Sequence, residues 1–275
     1  MALGKRIERT SLTIGEAAQA WLERGTGQKG PWTLATAERN ERIVRRQIDH
    51  SPDPALRPLG AVKLRDLTPD LVAAWSAANQ RTLAPTSAVI ALATLNLICR
   101  FAVRRGWLAE NQVAALEASE KPHWTPQHVA ILEGDDLAGL LDHAGPYRFL
   151  FEFLAHTGLR IGEALGLCWG DIDLDGAVIR VHRQLSRHRL HAPLKTPAGR
   201  REVMVAPGLV NRLREHWLAS PYKTPTDLVF ANTIGRGIDY RKVGEGFRQA
   251  VKRAGLQHDS KRLSLHSLRH ASRRC

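Results

Sequence analysis

In LTIGEAAQAWLER, residues 12–24, the positions Leu12, Ala17, Ala20, Trp21 and Leu22 recur at near-helical spacing and predict a first helix. A glycine-rich turn (Gly25, Gly27, Gly30, Pro31) separates it from TLATAERNERIVRRQI, 33–48, which predicts a second. Arg42, Arg45 and Arg46 fall on one side of that helix at i, i+3, i+4. A third helix is expected to open with Thr68 as N-cap and Pro69 in the first turn, where a missing N–H costs nothing. The fourth starts near Pro85-Thr86 and runs to Arg105, stopped by Gly106. Four helices with no strand signal predict an all-α module over residues 1–116.

EASEKPHWTP, 117–126, is charged and proline-bearing and reads as a linker to a second module, 127–275. There, GDDLAGLLDHA (134–144) and YRFLFEFLAHT (147–157) are helical, Gly158 breaks the second, and RIGEALGL (160–167) is a further short helix. Then the period changes. AVIRVHRQL (177–185) and REVMVA (201–206) alternate β-branched and polar residues, and LKTPAGRR (194–201) supplies Pro197 and Gly199 for a turn between them. This predicts a small antiparallel sheet with Lys195 at its tip. Helices resume at LVNRLREHWL (209–218) and VGEGFRQAVKRAGL (243–256), and another opens at Ser264. The fold class is therefore mainly α with a small antiparallel β-sheet, an all-α N-terminal domain preceding an α+β C-terminal one.

Charge changes the picture. The 275 residues carry 40 Lys+Arg against 27 Asp+Glu, a net of +13. The excess is uneven: residues 1–120 hold 16 basic and 12 acidic side chains, residues 195–275 hold 17 and 6. A basic excess confined to one segment points to a polyanion, of which nucleic acid is the commonest, although a solvated face gives the same count. Cys99, Cys168 and Cys275 are odd in number and unpaired in spacing, so no disulfide framework is expected. The opening MALGKRIERTS has no apolar run behind its charges, and the most lipid-like stretch (88–103) is interrupted by Asn96 and Arg100. A cytoplasmic protein without membrane partners is the expectation.

Three fragments carry candidate chemistry: Thr157-Gly158-Leu159-Arg160 opening a helix, Lys195 on its turn, and His266-Ser267-Leu268-Arg269-His270. An arginine at a helix start opposes the macrodipole unless an anion sits nearby. Glu163, three residues on, could hold that guanidinium, and a plain surface ion pair is the competing account. His266 and Arg269 share a helix face, and guanidinium forks with an adjacent donor suit a phosphodiester; a capping histidine and a surface arginine are the bland alternative. His266 and His270 at i, i+4 could suggest a metal, but no carboxylate follows in zincin fashion, so none is expected. His182, His188 and His191 read as surface residues.

Taken together, TGLRIGEALGLCWGDID (157–173), KTPAGRR (195–201) and LHSLRH (265–270) resemble the tyrosine recombinases, the phage-type integrases, in order and spacing. PLGAVKLRDLTPDLVAAW (58–75) and FAVRRGWLAEN (101–111) resemble that family's helical core-binding domain. The resemblance implies a core-binding domain, the linker, and an integrase-like catalytic domain, with duplex DNA as partner, a tetramer on DNA, and no cofactor. It implies that Arg160 and Arg269 clamp the scissile phosphate, Lys195 acts as general acid, His266 assists and Glu163 orients Arg160. Arg42, Arg45, Arg46, Arg81, Arg200, Arg201, Arg241 and Lys242 become candidate DNA contacts. The family nucleophile is a tyrosine beyond the second arginine, whereas Tyr147, Tyr222 and Tyr240 all precede His266. The expectation is a chain cut before its nucleophile, with a final helix short of apolar partners, that binds DNA without cleaving it. A non-catalytic DNA-binding protein occupying recombination sites is the alternative.

Overall fold

The computed structural model describes residues 11–27, 30–125, 132, 134–186, 191–194, 199–256 and 263–271. The chain forms two compact units, Met1–Pro126 and Gln127–Cys275.

Helix ends in the first unit follow from local chemistry. Thr13 caps Ile14–Arg24 (α1) in a capping box: its hydroxyl accepts the Glu16 amide N–H, and the Glu16 carboxylate accepts the Thr13 amide N–H at 2.7 Å. Gly25 closes the helix at φ 60°, a left-handed value that favours glycine. No strand is predicted in this unit, yet Thr26–Gly27 (β1) pairs antiparallel with Gly30–Pro31 (β2), Gly30 taking φ 109° so that the chain can reverse. Leu34–Ile43 (α2) continues into one π-helical turn, Val44–Ile48, a departure from the single helix expected over 33–48. The wide turn buries Val44 and Ile48, while the Gln47 carbonyl accepts the Trp75 indole N–H at 2.6 Å. Thr68 and Pro69 open Pro69–Thr82 (α3), and Pro85–Arg105 (α4) ends at Gly106, φ 74°. By length and composition α4 could cross a membrane; half of it is buried here, with Leu95, Ile98 and Phe101 in the core beside Ile14, Trp21 and Val72.

The second unit packs helices around one core in which Phe151, Phe153, Phe247, Leu213 and Leu268 are almost fully enclosed. Its helices are Gly134–Asp142 (α5), Arg148–Thr157 (α6), Ile161–Leu165 (α7), Pro207–Ala219 (α8), Tyr240–Arg253 (α9) and Leu265–Ala271 (α10). The sheet departs from expectation. Ile172–Asp173 (β3), Val178–Val181 (β4) and Arg201–Met204 (β7) form one antiparallel sheet in the order β3-β4-β7, with Val181 opposite Arg201. The expected single strand over 177–185 instead breaks at His182, and Arg183–Leu185 (β5) pairs with His191–Pro193 (β6) as a separate hairpin. Two contacts account for the break. Asp171, buried, holds the Arg183 guanidinium, and β5 lies across α7 where Gly162 and Gly166 offer no side chain. A Cβ on Gly166 would stand 2.6 Å from the Leu185 nitrogen, so only glycine permits that approach. α10 is not short of apolar contacts: it packs on α6, with Leu268 and Ala271 buried in the main core.

Candidate phosphate-binding site

The site begins where α6 ends. Gly158 takes φ 63°, the buried Leu159 anchors the turn, and Arg160 becomes the N-cap of α7. Glu163, 2 % exposed, folds back over this end. Its Oε2 accepts the Arg160 amide N–H at 2.9 Å, and its Oε1 accepts Nη1 of the same residue at 2.8 Å. A second guanidinium completes the arrangement, as Arg201 donates Nη2 to Glu163 Oε2 at 2.8 Å and Nη1 to the Gly199 carbonyl at 3.2 Å. Burial works to raise the Glu163 carboxyl, but the hydrogen bonds from Arg201 and Arg160 outweigh it, and its pKa lies below the usual value. Glu163 is therefore a fixed anion between two cations. The Arg160 side chain nevertheless keeps 57 % of its surface in solvent, which leaves donors facing outward.

The third fragment lies on α10. Ser264 starts the turn by accepting the His266 amide N–H on its hydroxyl at 3.3 Å, and the buried Ser267 and Leu268 fix the inward face. His266 is exposed and Arg269 half-buried. The rings of His266 and His270 meet edge to face with centroids 4.9 Å apart. Partial burial lowers the His266 pKa below 6.5, and the charges of His270, Arg269 and Arg160 push it the same way. Arg160 and Arg269, scattered in sequence, thus both act on one imidazole. Two guanidinium groups therefore lie near enough to one imidazole for their charge to reach it, and their forked donors are of the kind that suits an anion.

Lys195 lies outside the described residues. The residues nearest it in sequence among those described, Leu194 and Gly199, lie against each other: a Cβ on Gly199 would meet the Leu194 Cβ at 3.2 Å. Arg200 is exposed, whereas Arg201 is turned inward onto Glu163. Arg42, Arg45 and Arg46 are exposed on α2 and the π turn; Arg81 pairs with Asp53 at 2.9 Å. Arg241 and Lys242 are exposed in the first turn of α9. Among the described residues no three His, Cys, Asp or Glu side chains converge as metal ligands. Sequence reasoning missed the Glu163–Arg201 pair and a second buried ion pair, Asp171–Arg183. The alternation of REVMVA held a signal for the first, since it places Arg201 on the same strand face as Val203 and Val205.

Residues 131–273 match the Phage integrase family, and the chain belongs to that family. It is 26 % identical over 275 aligned positions to an integrase of Streptomyces ambofaciens, covering 93 % of this chain and 67 % of that protein. Other curated relatives are matched over 33 % and 53 % of their own lengths. The Tn1549 transposon integrase in complex with circular intermediate DNA superposes with a TM-score of 0.79 at 17 % identity, over 95 % of this chain and 86 % of that one. A lambda integrase tetramer bound to a Holliday junction gives 0.66 at 22 % identity, over 95 % and 70 %. These two structures share the fold.

Proposed function

We propose that this chain binds duplex DNA as the phosphate-gripping part of a site-specific recombinase. The Arg160 guanidinium, held by buried Glu163 with more than half of its side chain in solvent, is the observation that carries the reading; the charges of Arg160 and Arg269 that reach His266 support it. Forked donors fixed before the substrate arrives stabilise charge on the non-bridging oxygens without reorganising in the transition state. In strand cleavage a tyrosine hydroxyl gives up its proton to water as its oxygen attacks phosphorus, the bond to the 5′ oxygen breaks, and Lys195 gives that oxygen its proton. His266, neutral near pH 7, donates a hydrogen bond to a non-bridging oxygen. The covalent phosphotyrosine conserves the bond energy until the strand is rejoined, so the scheme calls for no cofactor.

None of the three tyrosines suits the nucleophile. Tyr147 stacks on Phe151 with centroids 5.9 Å apart, and the Tyr222 hydroxyl donates to the Thr233 carbonyl at 3.0 Å. Tyr240 is the exposed first residue of α9. On this reading none of the three is the attacking tyrosine, and these 275 residues grip duplex without cleaving it by themselves. Self-association on DNA, in the cytoplasm of a bacterium, belongs to the same proposal; the lambda integrase tetramer supports it.

Two measurements test the reading. Titration of labelled duplex against salt gives a steep negative slope if phosphates are neutralised. A nicked suicide duplex accumulates no covalent adduct with this chain. Absence of duplex binding, or an adduct, overturns the corresponding half of the proposal.

A further inference from the structure

We infer that Arg201 is a positioning residue that ties Arg160 to the edge of the β3-β4-β7 sheet, with Glu163 as the shared anchor; the inference rests on the phosphate-clamp reading of Arg160.

The geometry supporting this is local. Glu163 gives one carboxylate to two guanidiniums, Arg160 Nη1 on Oε1 and Arg201 Nη2 on Oε2, each at 2.8 Å. Arg201 is the first residue of β7, locked in register opposite Val181 of β4, so its backbone is set by the sheet. Its other nitrogen, Nη1, holds the Gly199 carbonyl, and Gly199 rests on Leu194. Gly199 is thus fastened through Arg201 to the same carboxylate that orients Arg160. A second fastening lies upstream, where Asp171 holds Arg183 at the start of β5. β5 then crosses α7 at Gly162 and Gly166, on the helix that carries Glu163.

A carboxylate with a single partner can follow that partner into solvent. One held by a strand-bound arginine cannot, so the Arg160 fork presents its outer edge in one orientation. Arg201 contributes by restricting Glu163 and does not itself reach the DNA: 71 % of its side chain is covered, against 43 % for Arg160.

The test uses the full chain and a short fluorescein-labelled DNA duplex, read as the slope of log affinity against log salt. Arg160→Ala is expected to reduce that slope by about 0.9, the loss of one phosphate contact. Arg201→Ala is expected to reduce it by the same amount, and the double variant by no more than either single one. A double variant that loses about 1.8 means that Arg201 meets a phosphate of its own, and the inference fails. An Arg201→Ala slope equal to wild type, with only the melting temperature lowered, assigns Arg201 a purely structural part and also overturns it. Should Arg201→Ala fail to fold, Arg201→Lys keeps a cation on Glu163 without the fork. A partial loss of slope at unchanged melting temperature supports the inference, and a wild-type slope defeats it. If Arg160→Ala itself leaves the slope unchanged, the clamp reading has failed, a result distinct from any failure at Arg201 alone.

Discussion

Glu163 and Asp171 are the two charged side chains buried among the described residues, and they do different work with the same chemistry. Asp171 caps the Cys168 amide N–H with one oxygen at 2.9 Å and holds Arg183 with the other, His182 approaching at 3.5 Å. Arg183 keeps 32 % of its side chain in water, and its Nε is buried without a hydrogen bond. That carboxylate is a staple, joining the turn after α7 to the strand that crosses it. Glu163 also holds a strand arginine, but its second cation, Arg160, leaves more than half its side chain in solvent. What separates the two acids is that one cation of Glu163 stays in solvent, where on the proposed reading it meets a phosphate, whereas Asp171 closes on protein at both ends.

The largest effect should come from removing the staple. Asp171→Ala leaves Arg183 half-buried and unopposed, and breaking a buried pair costs roughly 3–5 kcal/mol; with a third of Arg183 in water, about 2–4 kcal/mol is expected. Urea denaturation measures it, and a loss below about 0.5 kcal/mol, the scale of an ordinary surface change, would erase the distinction from Glu163. Next comes the crossing itself. Gly166→Ala forces a methyl against the Gln184 and Leu185 backbone, with approaches of 2.7 and 2.6 Å, and overpacking of this kind costs about 1–3 kcal/mol. Because β5 would lift from the helix that carries Glu163, duplex affinity should fall with stability in this variant.

How far the sequence shows this arrangement depends on the range of the interaction. Helix ends were legible because their causes are local: Thr68 with Pro69, and the glycines at 106 and 158, act on their own turns. The strand pair 178–181 with 201–204 also follows from alternation. Its interruption at His182 was not legible, since it depends on Asp171 and two helix glycines that meet β5 only in the folded chain. Arg160, Glu163, His266 and Arg269 stood out through spacing and resemblance. In the sequence Arg200 and Arg201 read alike as candidate DNA contacts, because adjacent arginines look the same until strand register turns one inward and the other out. The likeness in type concealed different surroundings, one in solvent and one on Glu163.

Arg160→Ala sharpens the comparison from the other side. It removes one hydrogen bond from buried Glu163 but leaves Arg201 in place, and the Arg160 side chain is more than half exposed. A loss of about 1–2 kcal/mol is therefore expected, below that of Asp171→Ala, while the salt slope of duplex binding falls by about 0.9. A stability loss as large as that of Asp171→Ala would make Arg160 a second staple and remove its claim to an anion.

The smallest expected effect is in pH, and its sign follows from His266. Burial and the nearby positive groups hold the folded imidazole below 6.5, so without DNA the unfolded chain takes up that proton first as pH falls. Stability associated with His266 is therefore complete above pH 6.5 and declines as pH drops through the folded value. His216, half-buried against Phe149 and Phe230, is lowered in the same direction by burial and adds to that decline. DNA reverses the sign at His266 alone, since a phosphate beside it favours the imidazolium and raises its pKa. Binding then takes up a proton in the window between the free and bound values, and duplex affinity rises as pH falls, by at most about tenfold per unit. His266→Gln should flatten that rise while leaving the His216 part of the stability curve in place. Equal pH dependence in wild type and His266→Gln would place the phosphate away from His266, and the outward edge of Arg160 would then need another anion to account for it.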